Sequence, residues 1–145
     1  MSRGWIALVL AWCMWCVPAS AQNESRISPK PIRDGVRAAV SGQLAALRDQ
    51  NFTVAYEYAA RGIKRQFDER VFALMIRRGY PALLRHEEAD IGIVRDNGEG
   101  QAQVVVTVTD ALKRATVYRF WVVEETAGWR IAGVVLEQKP PRGDI

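Results

Sequence analysis

Two cysteines near the start of the chain have the spacing of a redox or metal motif, Cys13-Met14-Trp15-Cys16. A C-x-x-C pair can form a redox-active dithiol or supply two thiolate ligands to a metal. Redox pairs of this kind sit where a strand meets a helix, in surroundings that lower the thiol pKa. Here both cysteines lie inside an apolar, uncharged stretch, so we predict neither chemistry for them.

The uncharged stretch has the features of a secretory signal peptide. Arg3 provides a positive start, residues 4–17 carry no charge, and Ala19-Ser20-Ala21 offers the small residues that a signal peptidase recognises. The stretch is shorter than the ~20 residues that cross a bilayer as a helix, which makes a retained anchor the weaker interpretation. We predict a signal peptide over residues 1–21, export to the periplasm with secretion as the alternative, and a mature chain without cysteine or disulfide.

The densest group of chemically active side chains in the remaining sequence is basic. It comprises Arg61, Lys64, Arg65, Arg70, Arg77, Arg78 and Arg85. Guanidinium groups bind carboxylate and phosphate oxygens through paired hydrogen bonds, so this group could hold an anionic ligand or an anionic lipid headgroup. We name Arg61, Arg65, Arg77 and the nearby Tyr80 as candidate ligand-binding residues. A solvated basic face is the more ordinary interpretation of the same pattern.

His86 is the only histidine in the chain. A Ser-His-Asp triad would have to use it, and a metal site with two histidine ligands is excluded. The charged neighbours Arg85 and Glu87 favour a solvated loop. Glu88 and Asp90 would share one face of an extended strand, which is typical of a polar sheet surface. A calcium site is not predicted here, because a calcium-binding loop needs a longer run of oxygen ligands. We assign no catalytic residue, no metal ligand and no cofactor.

Length and charge narrow the class of protein. The chain has 145 residues and a net charge of +4. It contains no block of lysine and arginine and no basic stripe with interleaved aromatic residues, so we expect no nucleic-acid partner. The part that follows the predicted signal peptide is long enough for one domain that buries a core without disulfides.

Three helices are predicted in the first part of that domain. Residues 22–31 are polar with two prolines, which indicates a flexible leader. Apolar residues then recur at helical spacing between Ile32 and Leu47. A short second helix is predicted at about residues 53–60. Asp68 is a suitable N-cap for a third helix, which Gly79 closes before Tyr80-Pro81 turns the chain into an extended conformation.

About four strands are predicted after the helices. The segments that indicate them are EEADIGIVRD, which leads into a hairpin at Asn97-Gly98, then QAQVVVTVT, RATVYRFWVVEE and WRIAGVVLEQK. Helices followed by strands predict an α+β fold, with three N-terminal helices packed on a curved, about four-stranded antiparallel sheet. We expect a single domain over residues 32–138, a tail over residues 139–145, and a cone that opens between the helices and the concave face.

Three segments carry a family resemblance. They are VSGQLAALRDQNFTVAYEYAARGIKRQF, FALMIRRGYPALLR and GWRIAGVVLE. With them, the chain from Ile32 to about Leu136 resembles the bacterial domain-of-unknown-function family 4864, which is placed among nuclear-transport-factor-2-like (cystatin-like) α+β folds. The chain departs from the family at Ala60-Arg61, where Ser-Pro is expected, and at Leu84-Arg85-His86, where a Tyr-Arg-Pro-like segment is expected. The resemblance implies the fold and leaves the activity open, because the family has none assigned.

Two functions remain in competition. The leading hypothesis is an exported, non-catalytic domain that binds a small-molecule, peptide or anionic ligand or acts as an assembly module. The alternative is a small-molecule enzyme of isomerase, dehydratase or hydrolase type that uses the cone as a pocket. Tyr56, Tyr80, Tyr118 and Arg119 are its candidate residues, but the pattern shows no inward carboxylate to act as a base. Peripheral membrane contact and a homodimer through the sheet are further hypotheses.

Overall fold

The computed structural model describes residues 25–137. The predicted signal peptide, the first residues of the leader and the predicted tail lie outside the described residues. The elements in chain order are β1 (Arg26–Ile27), α1 (Lys30–Arg48), α2 (Phe52–Glu57), α3 (Arg61–Gln66), α4 (Glu69–Gly79), α5 (Pro81–Arg85), β2 (His86–Ile91), β3 (Arg95–Asp96), β4 (Gln101–Asp110), β5 (Ala115–Glu125) and β6 (Gly128–Leu136). The α+β class is confirmed, with more and shorter elements than the sequence predicts.

The strands form one antiparallel sheet in the order β1-β3-β4-β5-β6, and β2 pairs with β4 beside β3. The single strand predicted ahead of Asn97 is therefore two strands. The hairpin predicted at Asn97-Gly98 is confirmed, because β3 and β4 pair across it and Gly98 has a φ of 76°. The chain leaves the ladder at Gly92, where an added Cβ would lie 2.9 Å from the carbonyl oxygen of Val105.

The long first helix is confirmed and starts slightly earlier than predicted. A proline in its first turn suits the fixed φ of that residue. Its buried stripe includes Val36, Val40 and Leu44. The segment predicted as a leader contributes β1, so the elements of the described residues begin at Arg26 rather than at Ile32.

The middle of the chain contains two helices that the sequence analysis does not predict. The segment after Ala60, interpreted as a break, forms α3, and the carbonyl oxygen of Ala60 accepts hydrogen bonds from the amides of Ile63 and Lys64. The extended conformation predicted after Tyr80 is wrong, since Pro81 is the first residue of α5. Proline favours that position because the first helical N–H needs no partner within the helix. The cap predicted at Asp68 is confirmed by a 2.8 Å hydrogen bond from the amide of Val71.

The core lies between the helices and one face of the sheet, which we call the inner face. Alternate residues of β4 and β5 are buried there, among them Val106, Phe120 and Val122, and Ile131 of β6 joins them. The other side, the outer face, is covered by no helix of the described chain, and Trp121 is 45% exposed on it. The helices therefore leave one sheet surface open to solvent.

Candidate functional site

A pocket of about 250 Å³ lies between the helices and β6. Apolar side chains such as Ile63, Phe67 and Met75 make up most of its lining. We call this cavity the helix–sheet pocket. It occupies the place where the sequence analysis expects the cone to open.

Three polar side chains line the helix–sheet pocket: Gln43 of α1, Gln66 of α3 and Tyr80. Gln43 is only 3% exposed, and its Nε2 donates a 3.3 Å hydrogen bond to the carbonyl oxygen of Ala55. That bond fixes the orientation of the amide, whose Oε1 is able to accept a hydrogen bond.

Tyr80 is positioned by the junction between α4 and α5. Its hydroxyl donates a 2.7 Å hydrogen bond to the carbonyl oxygen of Val134 in β6. Its ring lies 6.0 Å from the ring of Tyr118, centroid to centroid. Burial raises the pKa of Tyr118. Tyr80 lines the pocket and ties the helices to the last strand.

No aspartate, glutamate, histidine, lysine or arginine occurs among the described residues that line the helix–sheet pocket. An apolar lining with two amides and a phenol can bury apolar surface and orient a neutral polar group.

A family model described as a domain of unknown function (DUF4864) matches residues 30–143. The chain belongs to this family. The match includes every element from α1 to β6. Searches of curated proteins and of solved structures found no match. Within the described part of the chain, no helix is both long and apolar enough to cross a bilayer.

The predicted ligand-binding residues of this DUF4864 domain differ in their position relative to the helix–sheet pocket. Tyr80 lines the helix–sheet pocket, whereas Arg61, Arg65 and Arg77 are exposed outside it. The backbone N–H of Arg61 donates to the carboxylate of Glu125 at 2.9 Å. Anion binding by the three arginines stays a prediction.

Two of the basic side chains cover aromatic rings of α2. The guanidinium carbon of Arg77 lies 4.6 Å from the ring centroid of Phe52, and Nζ of Lys64 lies 5.6 Å from that of Tyr56. Tyr56 also donates a 2.7 Å hydrogen bond to the carbonyl oxygen of Phe67. Cation–π contacts of this kind contribute about 0.5–1 kcal/mol at exposed sites, which gives both cations a structural role.

His86 does not lie in the solvated loop that the sequence analysis favours. It is 3% exposed, and its Nδ1 lies 2.7 Å from the carbonyl oxygen of Leu83. Desolvation lowers its pKa. The expectation was wrong because α5 turns the chain inward just before His86. No group of three His, Cys, Asp or Glu side chains that could hold a metal occurs within residues 25–137.

One buried carboxylate of the DUF4864 domain was not predicted from the sequence. Asp96 is 2% exposed and accepts hydrogen bonds from the hydroxyl of Ser28 at 2.6 Å and the amide of Gly98 at 2.9 Å. Arg26 also pairs with it, at 3.3 Å. Desolvation raises the pKa of Asp96, but these partners outweigh it and hold the pKa below its ordinary value. The sequence Asp96-Asn97-Gly98, typical of a turn in which the side chain accepts a backbone N–H, was the available signal.

The outer face carries a second depression, of about 470 Å³, which we call the outer groove. Trp121 and Val123 of β5 line it together with Arg95, Gln101 and Gln103. Cross-strand partners in an antiparallel sheet share a face, and Arg95, Gln103 and Trp121 are successive partners across β3, β4 and β5. An exposed tryptophan therefore lies in a polar row on the uncovered side of the sheet.

Proposed function

We propose that this DUF4864 domain is an exported, non-catalytic domain of nuclear-transport-factor-2-like fold that binds a small, mainly apolar, uncharged ligand in the helix–sheet pocket. The composition of the pocket carries the proposal. Apolar side chains supply the binding energy, and Gln43, Gln66 and Tyr80 supply the polar contacts. The long α1 across the inner face supports the fold assignment, and the sequence of residues 1–21 supports export.

The volume of the pocket restricts the ligand. Pockets for drug-sized molecules have volumes of roughly 300–1,000 Å³, and the helix–sheet pocket is slightly smaller at about 250 Å³. Burial of apolar surface contributes roughly 25 cal/mol per Å², so an aromatic or aliphatic ligand gains most from this lining. A charged ligand would lose its hydration without gaining an ionic partner from the described lining.

The enzyme alternative has less support. An isomerase or dehydratase of the type considered needs a base beside the substrate, and the described lining offers amides and a phenol. The hydroxyl of Tyr80 already donates to Val134. Binding therefore accounts for the pocket with fewer assumptions than catalysis.

The test uses N-phenyl-1-naphthylamine, an uncharged probe whose fluorescence rises in apolar surroundings. We expect saturable binding to the parent protein. Met75→Trp should weaken binding at least tenfold, because Met75 lines the pocket and the larger ring fills it. Leu74→Trp is the matched control, since Leu74 directly precedes Met75 in α4, is 43% exposed and does not line the pocket.

Probe fluorescence is excited outside the tryptophan band, and circular dichroism checks that both variants are folded. Equal binding by Met75→Trp and the parent would contradict the assignment of the pocket. Equal losses in the two variants would show that the probe binds somewhere else on α4.

A second candidate function is self-assembly through the outer face. The observation that favours it is a large apolar side chain, Trp121, left 45% exposed in the outer groove. Charges of opposite sign lie on the outer face at different heights along the strands, with Arg95 in the row of Trp121 and Asp90 in the row of Thr107 and Val117. In a second copy stacked with its strands antiparallel, Arg95 of each copy would face Asp90 of the other. The charges of the outer face are therefore complementary to those of a second copy.

A further inference from the structure

An exposed patch of apolar and basic side chains lies where β1 and α1 meet the loop between β2 and β3. Ile27 is 61% exposed and Ile93 is 64% exposed. Arg33 and Arg37 of α1 surround the same shallow depression of about 360 Å³. We call these four residues the edge patch.

Hydrogen bonds hold the edge patch together. The amide of Ser28 donates to the carbonyl oxygen of Val94 at 3.0 Å, which places β1 beside the loop that carries Ile93. Nη1 of Arg37 donates to the carbonyl oxygen of Ile91 at 2.9 Å, which ties α1 to the same loop. The two isoleucines are therefore presented by a fixed backbone.

Positive charge predominates on the adjoining face of α1. Lys30, Arg33 and Arg37 are spaced by three and four residues, so they lie on one side of the helix. Asp34 is the one acidic residue in this part of α1, and it pairs with Lys30 and Arg33. The excess charge stays positive beside the exposed isoleucines.

We propose that the edge patch binds the surface of an anionic lipid bilayer. Interfacial membrane sites combine apolar side chains that enter the headgroup region with Lys or Arg that pair with lipid phosphates. Ile27 and Ile93 supply the first component, and Lys30, Arg33 and Arg37 supply the second. Single exposed apolar residues are ordinary, but here two of them adjoin and are surrounded by cations.

The position of the edge patch along the chain supports a membrane rather than an acidic protein as the occupant. The described residues begin at Ser25, next to β1, and the apolar residues 4–17 precede it. The intervening residues 18–24 span at most about 25 Å when fully extended. Before the predicted cleavage after residue 21, a signal peptide engaged in a bilayer would keep the edge patch within that distance of the lipid surface.

The basic group on α3 and α4 is a weaker candidate for the same role. Its exposed apolar residues, Val71 and Leu74, are 42% and 43% exposed, less than the isoleucines of the edge patch. Arg77 of that group lies over the ring of Phe52. It nevertheless offers matched controls, because its arginines can be changed by the same substitution.

The experiment measures co-sedimentation of the chain from Gln22 onward with vesicles of phosphatidylcholine alone or with phosphatidylglycerol added. This form lacks the apolar segment, which would bind lipid by itself, and it retains every described element. Circular dichroism and a cooperative thermal transition check its fold. We expect binding only to the vesicles that contain phosphatidylglycerol.

Two double variants separate the components of the edge patch. Arg33→Gln with Arg37→Gln should weaken binding by roughly tenfold or more, since each cation near an anionic surface contributes about 1 kcal/mol. Ile27→Ser with Ile93→Ser should also weaken it at least tenfold, and this loss should persist in high salt, where the Debye length falls to ~3 Å. Arg70→Gln with Arg78→Gln, and Leu112→Ser at a residue that is 72% exposed, should bind like the parent.

Absence of binding to the vesicles with phosphatidylglycerol would overturn the proposal, as would equal binding by the parent and both edge-patch variants. A larger loss in the Arg70 and Arg78 variant would assign the membrane contact to α4 instead. Binding of the probe in the helix–sheet pocket is measured without lipid, so the two proposals succeed or fail separately.

Discussion

Among the carboxylates of residues 25–137, Asp96 is the most deeply buried and has the largest set of partners. Ser28 and Arg26 come from β1 and its end, about seventy positions earlier in the chain, and Gly98 comes from the following turn. Each hydrogen bond to a charged group contributes about 1.5–3 kcal/mol. Asp96 therefore holds the first residues of the described chain against the β3–β4 hairpin.

Acid should remove the contribution of these hydrogen bonds to stability. The folded-state pKa of Asp96 lies below its ordinary value of 3.8, so near that pH the unfolded chain binds more protons than the folded chain. The contribution to stability is present above about pH 4 and is lost as the pH falls through the lowered pKa. Urea unfolding between pH 7 and pH 2.5 should show this loss in the parent protein.

Asp96→Asn should lower the free energy of unfolding by about 2 kcal/mol or more at pH 7, and the deficit should shrink toward pH 2.5. Ser28→Ala, which removes the donor at 2.6 Å, should have a smaller effect in the same direction. A deficit for Asp96→Asn that is independent of pH would show that the charge of Asp96 is not what holds β1.

At the scale of elements, α1 is adapted to two aromatic side chains. Gly35 and Gly42 lie two turns apart, and therefore on one face of the helix. An added Cβ at Gly35 would lie 2.6 Å from Cδ1 of Trp129, and one at Gly42 would overlap Oη and Cζ of Tyr58. Both glycines lower helix propensity, yet they let α1 approach β6 and the end of α2.

Alanine at either position should therefore destabilise the protein despite its better helix propensity. Overpacking costs typically 1–3 kcal/mol, against a gain of up to about 1 kcal/mol from propensity. We expect Gly42→Ala and Gly35→Ala to lower the midpoint of thermal unfolding. Gly62→Ala in α3 is the control, because its Cβ would meet nothing within 4 Å, and it should be neutral or slightly stabilising. Equal behaviour of Gly42→Ala and Gly62→Ala would contradict the close packing.

The elements that the sequence predicts are those fixed by local signals. Apolar spacing identifies α1, and Asp68 and Gly79 mark the limits of α4. The short helices α3 and α5 and the two-residue β1 depend on partners far away in the chain, such as the pairing of Ile27 with Arg95. Local periodicity carries no information about such contacts.

The candidate site was predictable only in part for the same reason. Tyr80 was named from the sequence, whereas Gln66 gave no signal. Gln43 follows Val40 by three residues, and so falls on the apolar stripe of α1, where a buried amide could have been suspected. The burial of His86 depends on α5 and on the sheet, which no neighbouring residue indicates.

At the scale of the whole molecule, the three proposed surfaces occupy different places. The helix–sheet pocket lies between the layers, the edge patch lies beside β1, and the outer groove lies on the uncovered face of the sheet. Ligand, membrane and second copy could therefore bind together. On the outer face, the register of the strands determines which residues of a second copy would come into contact.

The sheet register specifies how two copies would stack. A two-fold axis in the plane between the sheets and perpendicular to the strands preserves the position across the sheet and inverts the position along it. Arg95, in the row of Trp121, then faces Asp90 of the second copy, and Trp121 faces Val117, which pairs with Thr107. The opposite arrangement, with the axis along the strands, would lose both charge pairs.

We expect the parent protein to dimerise in sedimentation equilibrium and Trp121→Asp to be monomeric at the same concentration, because the substitution places a charge in the apolar contact. Leu74→Asp changes a residue of α4, in the helix layer rather than on the outer face, and should leave the dimer intact.

Arg95→Asp alone and Asp90→Arg alone should each weaken dimerisation more than tenfold, since like charges in an interface cost several kcal/mol. The double variant restores opposite charges at both contacts and should dimerise like the parent. A monomeric parent would exclude assembly through the outer face, and a double variant weaker than either single variant would exclude the antiparallel stacking.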